Sequence, residues 1–326
     1  MSTPAIESTG QPAQTVSRRA LLQFSSAMCS LLALPAAAAS AMAEGLAKTP
    51  RQSVVWLSFQ ECTGCTESLS RSYSPTLESL IFDVVSLDYH HTLQAASGDA
   101  AEQARDAAAT ANKGKYILVV DGAVSTKDGG LYSTIAGVAN LDMLRALARD
   151  AKAIVAVGTC AAFGGIAKAK PNPTGAVGVQ EIVSDKPLIN VSGCPPVPEA
   201  IAGVLAHLVA FGKPPELDRL KRPVAFFPAT IHQRCYRRPF YREGLFAKSF
   251  DDEGARKGYC LYYLGCKGPV TRGICATRKW NGGVSFPIQS GHGCLGCTEP
   301  NFWDRAGFYQ PLEGRGGGGG GGDSRD

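Results

Sequence analysis

Residues 153–160 read Ala-Ile-Val-Ala-Val-Gly-Thr-Cys. The first five are apolar and mostly β-branched, which is typical of a short strand buried on both faces of a parallel sheet. The glycine that follows marks the end of this strand, so Cys160 is expected just past its carboxyl end. Open α/β sheets bind their ligands at that edge.

Similar apolar runs on both sides of this one predict a five-stranded sheet. The predicted strands are residues 54–57, 82–87, 116–120, 153–157 and 188–191, and the predicted helices are residues 100–112, 134–149 and 198–211. The last helix has Pro198 near its start and Gly212 just past its end, as helices commonly do. This alternation predicts an α/β domain, a flavodoxin-like doubly wound parallel sheet, over residues 51–213.

The chain changes character after residue 213, and its 326 residues suit two domains. Residues 214–313 hold few periodic runs and many Gly, Pro, Cys and aromatic residues. We predict a second, irregular domain there, which folds around cofactors because metal binding supplies folding free energy. Residues 314–326 include seven consecutive glycines, 316–322, and predict a disordered tail.

Composition excludes several classes of protein. The chain is 44% hydrophobic and 19% charged, so it has enough apolar residues for a core and does not need disulfides to fold. A net charge of +5 is too small a bias for a nucleic-acid-binding protein. Beyond the first 43 residues there is no apolar run of roughly 20 residues, so we expect no transmembrane helix.

Residues 1–43 predict a targeting segment. Arg18 and Arg19 precede an apolar stretch that ends in Ala-Met-Ala at residues 41–43, which suits cleavage. The paired arginines resemble the twin-arginine (Tat) signal, which exports folded proteins. An ordinary secretory signal is the alternative. We expect a location in the periplasm or on the outer face of the cytoplasmic membrane, and the loss of Cys29 with the leader.

Ten cysteines lie beyond the leader, and one histidine is spaced with them. These eleven candidate ligands are Cys62, Cys65, Cys160, Cys194, His232, Cys235, Cys260, Cys266, Cys275, Cys294 and Cys297. Disulfides have no use for His232, and zinc sites take ligands in fours. Iron–sulfur clusters use both residue types, and the odd number indicates one site with three ligands. A disulfide scaffold remains the alternative for an exported protein.

Four of these cysteines follow predicted strands. Cys62 and Cys65 come after the first strand, Cys160 after the fourth and Cys194 after the fifth. The carboxyl ends of parallel strands share one edge of the sheet, so we expect these four side chains to converge on one site. Neighbouring glycines allow the backbone to approach that site closely.

His232 and the residues after it allow two interpretations each. His232 lies three residues before Cys235; an imidazole ligand raises the potential of a cluster, whereas most single histidines are structural. The basic run Arg234, Arg237, Arg238 and Arg242 alternates with aromatic residues. It is either a solvated basic face or a docking surface for an electron-transfer partner. No paired carboxylates indicate acid–base catalysis, so we predict no catalytic residue on this chain.

The residues resemble the small subunit of nickel–iron hydrogenases of the exported uptake type. The resemblance covers nearly the whole chain. It rests on the twin-arginine leader and on these segments: Glu-Cys-Thr-Gly-Cys-Thr-Glu-Ser at 61–68, Leu-Asp-Tyr-His at 87–90, Gly-Thr-Cys at 158–160, Lys-Pro-Asn-Pro-Thr-Gly at 170–175, Gly-Cys-Pro-Pro at 193–196 and Gly-His-Gly-Cys-Leu-Gly-Cys at 291–297.

The resemblance implies three clusters. A proximal 4Fe–4S cluster would be held by Cys62, Cys65, Cys160 and Cys194. A medial 3Fe–4S cluster would be held by Cys275, Cys294 and Cys297, with Pro287 where relatives with a medial 4Fe–4S cluster have a fourth cysteine. A distal 4Fe–4S cluster would be held by His232, Cys235, Cys260 and Cys266. Gly64 and Gly165 stand where oxygen-tolerant members carry two extra proximal cysteines.

The resemblance also implies partners. A large subunit would carry the nickel–iron centre that splits H2, and electrons would pass through this chain to an external acceptor such as a cytochrome. A hydrogen-sensing regulatory hydrogenase is the alternative; such relatives usually lack an export leader. We expect no nucleic-acid partner.

Overall fold

A computed structural model describes residues 18–32, 34–48, 51–305 and 307–312. The first 17 residues and the predicted glycine-rich tail lie outside this range. The strands are β1 Gln52–Ser58, β2 Val85–His90, β3 Ile117–Asp121, β4 Thr134–Ile135, β5 Val138–Ala139, β6 Ala153–Val157 and β7 Leu188–Val191. The longer helices are α1 Arg18–Leu31, α2 Ala38–Lys48, α3 Gly64–Ser70, α5 Gly98–Ala111, α6 Asn140–Asp150, α7 Gly158–Phe163 and α8 Pro198–Phe211, and the short ones are α4 Leu77–Ser79, α9 Ile231–Arg234, α10 Arg238–Arg242, α11 Glu253–Arg256 and α12 Cys275–Arg278.

The central sheet confirms the predicted α/β class. Its order is β2-β1-β3-β6-β7 and every pair is parallel. This is the flavodoxin order, with its topological switch point between β1 and β3. Strands β3, β6 and β7 are buried along their whole length, as their unbroken apolar runs predict.

Two predicted elements are wrong in part. Residues 80–84 form a turn of π-helix, so β2 begins at Val85, and the Phe82 side chain is 66% exposed. The helix predicted at 134–149 begins only at Asn140, because β4 and β5 form a hairpin before it. The turn residues of this hairpin, Ala136 and Gly137, have φ of 50° and 79°. A tight hairpin turn requires two such positive values of φ.

The described part of the predicted leader packs on the helices and strands of the central sheet. Helices α1 and α2 lie against each other and against α8. Met28 and Met42 are fully buried in the same core as the sheet, and a Cβ placed on Gly45 would lie 2.8 Å from the Ala210 carbonyl oxygen. Removal of residues 1–43 stays a prediction. In the part of the chain that the structure describes, no helix has the length and apolar character of a membrane span.

The described residues after 213 form only short helices around a small core. Ile231, Leu261, Phe286 and Ile288 are among its buried residues, and four cysteines pack against them: Cys235, Cys266, Cys275 and Cys294. That this part is a domain that folds around cofactors stays a prediction.

A buried arginine ties this half to the connection after the sheet domain. The Arg222 side chain is 3% exposed and forms ion pairs of 2.9 Å with Asp218 and with Glu299. It also donates a hydrogen bond to the Thr298 carbonyl oxygen and lies over the Phe227 ring. Thr298 directly follows Cys297, so this network fixes the backbone beside one of the candidate ligands.

Candidate functional site

The loops at the carboxyl edge of the sheet bring four cysteines together. Cys65 lies in the first turn of α3 and Cys160 in α7, while Cys194 lies in the loop from β7 to α8. Cys160, Cys194 and Cys62 are close enough for the charges of their thiolates to act on one another. We call Cys62, Cys65, Cys160 and Cys194 the proximal thiols.

Glycines leave room for the proximal thiols. Gly158 has φ of +85°, and a Cβ built on it would lie 2.5 Å from the Cys65 Sγ. A Cβ on Gly165 would lie 2.4 Å from the Cys160 Sγ, and one on Gly64 would lie 3.1 Å from the Cys62 Sγ. These three positions therefore face the proximal thiols directly. Two of them, Gly64 and Gly165, are the positions at which the resemblance implies extra cysteines in oxygen-tolerant members.

Gly158→Ala is expected to remove the cluster proposed for the proximal thiols. The new methyl group would overlap the Cys65 Sγ, and a left-handed alanine adds roughly 1–2 kcal/mol of backbone strain. The matched control is Gly137→Ala, where φ is +79° and no atom lies within 4 Å of the built Cβ. Iron analysis of both variants checks this: a full iron content in Gly158→Ala would contradict it, and Gly137→Ala should keep its iron.

Three of the proximal thiols, Cys65, Cys160 and Cys194, have a pKa that burial raises. Burial, followed by the charge of neighbouring thiolates, raises the pKa of Cys194 to about 12, and burial raises that of Cys160 to about 11. Such thiols are poor free nucleophiles at neutral pH. A bound metal ion deprotonates them outright, so the arrangement suits metal ligation better than dithiol chemistry.

Sequence reasoning missed two carboxylates at this edge. Asp121 ends β3 and is buried beside Cys65, whose pKa is raised by burial and then by the Asp121 charge. Burial, then the charge of Glu61, raises the pKa of Asp121 to about 7. The available signal was the acidic residue that ends the apolar run 117–121, at the same sheet edge as the cysteines.

Cys275, Cys294 and Cys297 form a second group, which we call the medial thiols. They line one cavity of about 720 Å³ together with Trp280, Phe286 and Pro287. Burial raises the pKa of all three thiols. Pro287 thus faces the space beside the medial thiols, where a fourth ligand would have to stand.

A third group lies around His232, Cys235, Cys260 and Cys266, which we call the distal ligands. Gly268 brings two of them together, because a Cβ built on it would lie 3.4 Å from the Cys266 Sγ and 3.5 Å from the His232 backbone nitrogen. The His232 ring stands edge-on to Tyr241, 4.6 Å between centroids. After the larger effect of burial, the charge of the Cys266 thiolate raises the pKa of Cys235, and the charges of Cys266 and Cys235 raise that of Cys260.

The three groups touch one another in a fixed order. Cys194, from the proximal group, lines the same cavity as Cys297, and the charge of the Cys297 thiolate raises the pKa of Cys194 after the larger effects of burial and of Cys160. On the other side, the Cys294 N–H donates to the Cys266 Sγ at 3.3 Å. The medial thiols therefore stand between the proximal and distal groups, in contact with both.

Hydrogen bonds join the loops at the sheet edge to the backbone around Cys297. The Thr159 hydroxyl donates to the Cys297 carbonyl oxygen and accepts from the Gly193 N–H at 2.9 Å. The Ser192 hydroxyl donates to the Thr298 carbonyl oxygen at 2.8 Å. The residues before Cys160 and Cys194 are thus bonded to the backbone that carries Cys297.

The structure corrects the prediction for the basic run. Arg234 and Arg242 are exposed and Arg238 is partly so, but Arg237 is only 6% exposed. The Arg237 side chain turns inward because its guanidinium donates to the Tyr236 hydroxyl at 2.8 Å and to the Tyr259 carbonyl oxygen at 2.7 Å. Only the other three arginines can form a basic surface.

All eleven cysteines of the chain, Cys29 included, are free thiols. Among the residues that the structure describes, no three His, Cys, Asp or Glu side chains converge tightly enough to hold a single metal ion.

Comparison with known proteins identifies the family. Residues 62–208 match the family model of the NADH ubiquinone oxidoreductase 20 kDa subunit, and residues 227–310 match that of the C-terminal part of the NiFe/NiFeSe hydrogenase small subunit. The chain is 45% identical over 299 residues to the uptake hydrogenase small subunit of Azotobacter vinelandii, which covers 92% of this chain and 84% of the relative. It is 47% identical to that of Rhizobium leguminosarum, covering 92% and 83%.

A solved structure agrees. The chain superposes on a chain of the reduced, active Ni–Fe–Se hydrogenase from Desulfomicrobium baculatum with a TM-score of 0.75 and 36% identity, which covers 81% of this chain and all of the other. Fold and matches together define the class of hydrogenase small subunits. The chain belongs to the small-subunit family of nickel–iron hydrogenases, and its relatives are of the uptake type. It therefore pairs with a large subunit in a heterodimeric hydrogenase.

Proposed function

We propose that this chain conducts electrons from the nickel–iron centre of its large subunit, through three iron–sulfur clusters, to an external acceptor such as a cytochrome. The proximal thiols would hold a 4Fe–4S cluster, the medial thiols a 3Fe–4S cluster, and the distal ligands a second 4Fe–4S cluster. When bound, these clusters supply one-electron redox chemistry. The chain supplies the ligands, their spacing and their surroundings.

The contact between successive groups is the observation that carries this proposal. An electron conduit needs its redox centres close together and in series. The proximal group meets the medial group at Cys194 and Cys297, which line one cavity, and the medial group meets the distal group at Cys294 and Cys266. These contacts support the order that the resemblance implies.

The donor set fits iron–sulfur clusters. The ligands are free thiols plus one imidazole, and backbone N–H groups already point at several sulfurs: those of Arg237 at Cys235, 3.4 Å, and of Cys294 at Cys266, 3.3 Å. Hydrogen bonds to sulfur are one of the means by which proteins adjust cluster potentials. In the medial group Pro287 provides no ligand, which fits a cluster with three cysteines.

Direction and location follow from the same proposal. Electrons would enter at the proximal thiols and leave at the distal ligands, where Arg234, Arg238 and Arg242 offer a basic surface for docking. The paired arginines of the leader support export through the Tat pathway to the periplasm or to the outer face of the cytoplasmic membrane. The leader also favours an uptake enzyme over a hydrogen sensor.

His232→Ala tests the exit of this conduit. We expect splitting of H2, followed by hydrogen–deuterium exchange, to be retained, while H2-dependent reduction of the acceptor slows by about tenfold or more. The reason is that the distal cluster loses a ligand and the nickel–iron site of the partner is untouched. His91→Ala, a change at an exposed histidine of the sheet domain, is the control. Unchanged delivery in His232→Ala would refute the ligand role of His232.

A further inference from the structure

Arg237 is a buried cation beside the distal ligands. Its backbone N–H donates to the Cys235 Sγ at 3.4 Å, and its guanidinium is bound by two neutral acceptors, the Tyr236 hydroxyl and the Tyr259 carbonyl oxygen. The side chain is 6% exposed. A guanidinium stays charged at any pH that a protein withstands, so this positive charge is permanent.

The surroundings of Arg237 lack the usual counter-ion. Three arginines are buried among the described residues: Arg105, Arg222 and Arg237. Arg105 and Arg222 each form ion pairs with two carboxylates. Within the same described ranges, no carboxylate lies within ion-pair distance of Arg237. A buried charge without an opposite charge is strongly unfavourable, so an anion is expected next to this guanidinium.

The groups around Arg237 identify that anion. Its backbone N–H is bonded to the Cys235 Sγ, and its guanidinium is bonded to the carbonyl oxygen of Tyr259, the residue that directly precedes Cys260. One permanent cation therefore lies beside the distal group. Lys267 is a second buried cation nearby; it directly follows Cys266, and its ammonium donates to the Gln310 carbonyl oxygen.

We propose that Arg237 is the counter-ion of the distal cluster and holds the reduction potential of that cluster high. The inference rests on the proposed function, which places a cluster on the distal ligands. A fixed positive charge stabilises the reduced, more negative state of a cluster more than the oxidised state, so it raises the potential. Arg237 acts on the cluster through space and is a positioning residue, not a ligand.

A high reduction potential of the distal cluster favours electron flow from the proximal to the distal group. An imidazole ligand also raises the potential of a cluster, so His232 and Arg237 act in the same sense at the exit. At the proximal thiols, where electrons would enter, the buried ionisable side chain beside Cys65 is a carboxyl group, that of Asp121. The distal end is thus the favourable end for an electron that leaves the proximal thiols.

Three variants of the anaerobically purified heterodimer test the proposal. The midpoint potential of the distal cluster is measured by redox titration followed by electron paramagnetic resonance. We expect Arg237→Gln to lower it, and the shift to persist at high salt because a buried charge is poorly screened. Arg242→Gln removes the same charge from an exposed side chain nearby and should give a smaller shift that salt abolishes. Arg237→Lys should retain most of the original potential.

Each outcome decides a different question. If Arg237→Gln keeps its clusters and its distal potential equals that of the parent, or moves no further than that of Arg242→Gln, the counter-ion role is wrong. If Arg237→Gln does not fold, Arg237→Lys still decides: a potential as low as that of a charge deletion would overturn the proposal. If the parent heterodimer contains no distal cluster, it is the proposed function that fails, and the iron content shows this independently.

Discussion

Cys65→Ala is expected to reduce H2-dependent electron delivery by about 100-fold or more. Cys65 lies in the first turn of α3, beside Gly158 and Asp121, with the other proximal thiols around it. Without its thiolate the proposed proximal cluster loses one of four ligands at the point where electrons enter. The nickel–iron centre would still split H2, so hydrogen–deuterium exchange should survive while reduction of the acceptor is lost.

The control for this variant is Thr110→Ala. Thr110 is an exposed residue of α5 and is not among the eleven candidate ligands. We expect Thr110→Ala to keep the iron content and the electron-delivery rate of the parent. Parent-like delivery in Cys65→Ala, measured with the same preparation of acceptor, would exclude Cys65 as a proximal ligand.

Arg222→Ala is expected to lower the free energy of unfolding by about 3–5 kcal/mol. The change leaves the carboxylates of Asp218 and Glu299 partly buried without their cation, and it removes the hydrogen bond to the Thr298 carbonyl oxygen. Because Thr298 follows Cys297, we also expect the medial cluster to be lost more readily than the proximal one.

Urea unfolding, followed by fluorescence and by the release of iron, measures this effect. The control is Arg219→Ala, which removes an exposed arginine three residues earlier and should change stability by less than about 0.5 kcal/mol. An Arg222→Ala protein as stable as the Arg219→Ala protein would show that the two ion pairs do not hold the domains together.

The central sheet was predictable because its strands are buried on both faces. Runs such as 117–121 and 153–157 show no alternation of polar and apolar residues and are rich in Val and Ile. Their composition and length therefore predict buried strands. The position of Cys160 and Cys194 then followed from strand ends alone. Helix α8 was also placed correctly, since Pro198 and Gly212 mark its two ends.

Elements set by local backbone geometry were less predictable. Ile135 and Val138 flank a turn whose two central residues have positive φ, and this spacing of apolar residues also fits a helix. Phe82 lies next to a strand and is apolar, but a turn of π-helix directs it to the surface. The pattern of apolar residues, on which the prediction was based, indicates neither the hairpin nor the turn of π-helix.

The candidate site was likewise predictable from the sequence only in part. The eleven candidate ligand positions came from spacing and resemblance, and their role as ligands stays a prediction. Arg237 could not be assigned in this way, because a charged residue in a sequence is expected at the surface, and the only signal for Asp121 was its position at the end of the apolar run 117–121. Only the fold reveals that one is buried beside the distal ligands and the other beside Cys65.

The central claim is that eleven side chains hold three clusters in series. Its most direct test is iron and acid-labile sulfide analysis of the anaerobically purified heterodimer, with electron paramagnetic resonance to identify cluster types. We predict about eleven iron atoms in addition to that of the large subunit, and a 3Fe–4S signal in the oxidised protein. Iron amounting to less than two clusters, or thiols found paired as disulfides, would contradict the account.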